Sequence, residues 1–174
     1  DRVRQFTLTG STDYILVADT NILETRLNQF RFNTQFETSD QLSFTVNDNY
    51  ELLAQPFSPA PSVTLPVGGY GFSDVEVGYS IGQQRRVNGR VSVKRGGYFS
   101  GEVTALTFRQ GRVSVLPQMS VEPSVSFNWI DTPQGSFRTD LAMTRVNYAF
   151  NPRMFFSGLV QYNSANDTVS NNFR

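Results

Sequence analysis

No cysteine and no histidine occur among the 174 residues. The first absence excludes a disulfide framework and a thiolate metal site. The second removes the commonest general base and the commonest metal ligand. Net charge is missing as well, because fifteen Lys and Arg balance fifteen Asp and Glu. The basic excess expected of a nucleic-acid-binding protein is therefore not there. No run of about 18 apolar residues exists, so a membrane-spanning helix is ruled out. The opening stretch DRVRQFTLTG carries no secretory leader and starts in mid-pattern. The expectation is a processed chain or an excerpt of a longer polypeptide.

What the sequence does have is aromatic and alternating. It holds fifteen Phe, seven Tyr and one Trp, while charged residues make up 17%, below the roughly 25% of soluble domains. Mean hydropathy is nevertheless −0.32, because Ser, Thr, Asn and Gln fill the gaps. In SVEPSVSFNWI (120–130), Val121, Pro123, Val125, Phe127 and Trp129 alternate with Ser, Glu and Asn. The same period of two recurs at Phe6/Leu8, Phe30/Phe32, Leu42/Phe44/Val46, Val75/Val77/Tyr79/Ile81, Val87/Val91/Val93, Val146/Tyr148/Phe150 and Phe156/Val160/Tyr162. A period of two is the signature of strands with one apolar and one polar face. Short breaks (37–40, 82–86, 151–153) alternate with longer or looser ones (18–21, 56–71, 96–101, 131–136, 163–167). Four of the eight prolines sit in the 56–71 break, where no ladder donor is required. The pattern predicts nine strands and the start of a tenth, in an all-β antiparallel up-and-down meander.

Two environments compete for the apolar face: a soluble core and lipid. The predicted strands are about 10–14 residues, longer than the 5–6 typical of soluble sheets and enough to cross a bilayer when tilted. Their polar face carries mostly Ser, Thr, Asn and Gln rather than the Lys and Glu of a surface in bulk water. The expectation is part of a transmembrane β-barrel. Arg31, Asp74, Glu76, Arg90, Lys94, Glu122 and Arg145 would line its lumen, and Tyr14, Tyr50, Tyr70, Tyr98, Trp129 and Tyr162 would form an aromatic girdle. Two residues strain that reading. Pro123 in mid-strand calls for a bulge, and Asp48 shares the parity of Leu42, Phe44 and Val46, so the strand bends there or Asp48 lies beyond lipid.

The segments SVEPSVSFNWIDTPQGSF (120–137), TRVNYAFNPRMFFSGLVQYNSANDTVSNNFR (144–174) and QPFSPAPSVTLPVGGYGF (55–72) resemble one family, most specifically at NPRMFFSGLVQYNS. It is the C-terminal β-barrel domain of unknown function from large outer-membrane proteins of Gram-negative bacteria. Its members carry an upstream family-9-like carbohydrate-binding domain and are often labelled membrane-associated hydrolases. The resemblance implies that residues 1–174 are a single barrel segment, incomplete at both ends. It also implies a bacterial outer-membrane location and a link to carbohydrate through a domain outside this chain. Outer-membrane lipids, further strands of the same protein, or other barrel subunits are the partners that follow.

Catalytic signals are thin. Asp74 and Glu76, two apart on one strand face, have the spacing of an acid–base pair, but cross-strand pairing with Arg90 and Lys94 explains them more simply. NDN (47–49) offers oxygen ligands without the spacing of a calcium loop, NDT (166–168) is a chance glycosylation pattern, and RQGR (109–112) reads as a basic turn. No catalytic residue, metal ligand or cofactor is assigned, and without histidine a Ser–His or Asp–His hydrolase is excluded. The expected function is a membrane anchor or pore. The alternative is a soluble or surface-exposed β-domain that binds a ligand or self-assembles through its strand edges.

Overall fold

A computed structural model of the protein describes residues 2–174. The chain is all-β, with twelve strands and no helix among the described residues. They are β1 (Val3–Leu16), β2 (Leu23–Phe36), β3 (Gln41–Leu53), β4 (Phe57–Ala60), β5 (Val63–Leu65) and β6 (Gly68–Ile81). The series continues with β7 (Val87–Tyr98), β8 (Gly101–Leu116), β9 (Met119–Thr132), β10 (Gly135–Asn151), β11 (Met154–Asn163) and β12 (Thr168–Phe173). Ten of them form one antiparallel meander in the order β1-β2-β3-β6-β7-β8-β9-β10-β11-β12, and β4 and β5 pair separately. The sheet is open: β1 and β12 are its two edges.

Alternation sorts the side chains onto two faces. On the apolar face a single register row runs Leu8, Phe32, Phe44, Val77, Val93, Leu106 and Phe127 across seven adjacent strands. These residues are not covered: Phe44, Val77 and Val93 are 42%, 45% and 48% exposed although their strands are interior ones. On the polar face the reverse holds. Ser43, Thr45, Asp74, Asn88, Ser92, Thr107, Ser120 and Thr132 are all buried. Polar-in and apolar-out inverts the ordinary soluble arrangement.

Buried apolar residues among the described ones are few: Val63, Leu65, Val103, Ala105 and Ile130. Val63 and Leu65 belong to the β4–β5 hairpin, which folds back over the polar face so that Val63 lies beside Gly135. The long break expected as a loop thus contains a small sheet of its own. The accessible surface is 11441 Å², whereas a compact soluble protein of 19.6 kDa exposes about 8,600 Å². The excess fits a single open sheet with an uncovered apolar face.

Loop lengths are less asymmetric than the sequence predicts. Gly96–Tyr98 and Gly101 belong to β7 and β8, and Asp131, Thr132, Gly135 and Ser136 belong to β9 and β10. These two connections therefore shrink to two residues each, with Phe99 in the left-handed region at φ 51°.

The bulge required by Pro123 exists, but on the neighbouring strand. Between Phe108 and Val113 β8 carries one residue more than β9 does between Val125 and Val121, and its excess over β7 falls in the same place. Gln110 takes a φ of 53° there. Pro123 keeps its register with Thr144 on β10 and faces the bulge on its other side, where no ladder donor is needed. RQGR is consequently a mid-strand bulge, not a turn.

At the short-turn end Asp40 ties two connections together. Its carboxylate accepts from the Gly82 amide (2.8 Å), the Tyr79 hydroxyl (2.8 Å) and the Arg85 guanidinium (2.7 Å). The Gly82 amide, and after it the Tyr79 hydroxyl, hold the Asp40 carboxyl below its ordinary value against a smaller opposing effect of burial, with Thr38 and Arg85 adding to the depression. A depressed carboxyl stabilises the fold above its unfolded-state pKa, and that contribution is lost as pH falls through the lower folded value. Asp40→Asn is therefore expected to lower the urea midpoint at pH 7. The gap to the parent protein should narrow as pH falls below about 4. A gap independent of pH would show that the latch does not depend on the carboxylate.

Candidate functional site

The candidate residues lie on the two faces of the sheet. Arg31, Asp74, Glu76, Arg90, Lys94, Glu122 and Arg145 all lie on the polar face, because each shares parity and register with its buried Ser, Thr and Asn residues. Asp74 is the best held. Its side chain is 1% exposed, Lys94 Nζ lies 3.1 Å from Oδ2, and Asn47 and Asn49 donate to its two oxygens at 2.8 and 3.2 Å. Glu76 pairs with Arg90 at 3.2 Å, and Arg90 also donates to Ser43 at 2.7 Å and Ser80 at 3.3 Å. Glu122 faces Arg145 at 3.9 Å and accepts from Asn147 at 3.1 Å. Among the described residues Arg31 has no carboxylate partner, and it donates to Thr45 and Gln29.

This arrangement commits Asp74 and Glu76 to separate cations, so they form a cross-strand charge ladder rather than an acid–base pair. Asn47 and Asn49 sit on the polar face while Asp48 sits on the apolar one, so NDN does not converge on a single ion. No group of three or more acidic side chains is placed to hold a metal among the described residues.

The apolar face is a belt with polar borders. Along β6 it spans Ile81, Tyr79, Val77 and Val75, about 20 Å of strand. Asp48 lies one row past Val46 without any register shift in β3. There it joins a hydrogen-bonded row in which Thr12 donates to Asn28, and Asn28, Arg26 and Ser73 donate to Asp48. Asp48 thus marks the border of the belt, and β3 carries no bulge there. On β10 the border comes earlier: Asp140 pairs with Phe127, and apolar positions continue down to Val146, Tyr148 and Phe150. The belt therefore drops two to three rows between β1 and β10. Its axis is inclined to the strands as if they were tilted by about 20–30°, somewhat less than the 35–45° of transmembrane barrels.

The girdle residues divide between the faces. Tyr14, Tyr50, Trp129 and Tyr162 are on the apolar face. Trp129 sits at the belt border, with Arg138 stacked over its ring at 5.2 Å and held there by Asp140 at 2.7 Å. Tyr70 and Tyr98 are on the opposite face. They share parity with Asp74 and Lys94, and they enclose Phe99 at ring distances of 5.4 and 5.0 Å. With Phe57, Phe72 and Phe137 they form an aromatic cluster at the loop end of the polar face, and so do not belong to a girdle on the apolar side.

None of the protein-family models, curated proteins or solved structures compared with the chain matches it.

Proposed function

We propose that the chain is an outer-membrane β-barrel protein acting as a membrane anchor or pore, with the apolar belt in lipid and the charge ladder facing an aqueous lumen. The observation that carries this reading is the inversion of faces: an uncovered apolar belt behind a buried polar face. Ten strands at about 4.8 Å spacing and a belt about 20 Å high give an apolar area on the order of 1,000 Å². The largest apolar patches on soluble monomers are about 300–600 Å². Lipid can cover such a belt on every strand at once. The open edges of β1 and β12 cannot stay unpaired in lipid, so the reading requires that they pair with further strands or with another copy.

The competing reading, a soluble β-domain self-assembling through its edges, leaves the belt in water. Heat-modifiability separates the two. The detergent-extracted protein is expected to migrate differently on SDS gels before and after boiling. A protein that stays soluble in plain buffer and shows no shift would contradict the barrel.

A further inference from the structure

The β8 bulge does more than accommodate Pro123. Residues three apart on a regular strand face opposite sides. The extra residue at Gln110 instead brings Arg109 and Arg112 to the same, polar face, opposite Arg90 and Asn88. Both residues are exposed, and both border a cavity of about 550 Å³ that Gln83, Asn88, Glu122 and Ser124 also line.

Charge compensation on this face is uneven. Asp74, Glu76 and Glu122 are each taken up by Lys94, Arg90 and Arg145. Arg109 and Arg112 have no carboxylate partner among the described residues. Arg109 also stands directly across from another arginine, Arg90, an arrangement that costs stability unless something negative comes between them. Guanidinium groups are weakly hydrated forks suited to anions, and rings of Arg and Lys are how pores select them.

We propose that Arg109 and Arg112 form an anion-selecting station, a place where small inorganic or organic anions are drawn across the polar face. The inference rests on the pore reading and specifies its solute class. The dedicated geometric device is the bulge, which converts a two-sided RQGR into a one-sided pair of cations. Glu122 of the neighbouring β9 also lines the cavity and is itself engaged by Arg145 and Asn147.

The test is the reversal potential of the full-length protein in planar lipid bilayers under a potassium chloride gradient. It is run on the parent protein and on Arg109→Glu/Arg112→Glu, with Arg109→Gln/Arg112→Gln as a milder pair that keeps the bulge uncharged. Boiled and unboiled gel mobility confirms folding of each. The parent is expected to favour chloride, the glutamine pair to lose most of that preference, and the glutamate pair to shift the reversal potential toward potassium. Folded variants that conduct with the parent's selectivity, or a parent that prefers potassium, would overturn the anion station while leaving the pore standing. A parent protein that inserts and is heat-modifiable yet never conducts would overturn the pore, and this inference with it.

Discussion

Val77→Arg is expected to destabilise the protein in a bilayer by about 2–4 kcal/mol, the cost of a cation at the middle of a lipid-facing barrel surface. Val77 lies within the belt, flanked in register by Phe44 and Val93 and along β6 by Val75 and Tyr79. In the structure it is 45% exposed. In a soluble protein, a substitution at so exposed a site would change stability by no more than about 0.5 kcal/mol. The two environments therefore predict effects several-fold apart for one substitution. The appropriate measurement is reversible urea unfolding in lipid vesicles, comparing Val77→Arg with Ser73→Arg. Ser73 is on the same face of β6 but in the polar row with Asp48, where an arginine should cost much less.

The second large effect is on the other face. Lys94→Met removes the cation paired with Asp74, whose side chain is 1% exposed. Breaking a buried pair by deleting one partner typically costs about 3–5 kcal/mol. Asn47 and Asn49 still donate to the carboxylate, and Lys94 is itself part-exposed, so about 2–3 kcal/mol is expected. The double variant Asp74→Asn/Lys94→Met removes both charges of the pair and should recover most of the loss. Equal destabilisation of the single and double variants would mean that the ladder acts through packing rather than through charge.

Much of the fold is legible in the sequence because an alternating strand carries its own orientation. Phe44 and Val77 are apolar, Thr45 and Glu76 are polar, and the structure keeps each on the side its parity assigns. The same rule would have placed Tyr70 and Tyr98 correctly. Counting by twos from Val75 and Val93 puts both on the polar side, whereas a lipid-facing girdle needs the apolar one.

Other features were harder to see. Gly96 and Gly97 look like turn residues, yet they stay in β7, where Asp74 and Phe72 of β6 come close enough to leave no room for a Cβ. The β4–β5 hairpin is hidden by Pro59, Pro61 and Pro66, which mark a loop without showing that Ser58 and Thr64 bond across it at 2.8 Å. The bulge was legible only through its effect on Pro123, because a one-residue insertion belongs to the register between strands and not to either sequence alone. Asp40 carries no local signal at all. Its partners at Tyr79, Gly82 and Arg85 come from a connection some forty residues away.

The central claim, that the apolar belt meets lipid, has a built-in reporter, because Trp129 is the single tryptophan of the chain and sits on the apolar face at the belt border. The decisive measurement is its fluorescence in vesicles whose lipids carry bromine at defined depths. The account predicts a blue-shifted emission that is quenched by brominated lipid, more strongly by bromine near the headgroups than at the chain ends. Emission at the wavelength of an aqueous indole, unchanged by bromine at any depth, would contradict it.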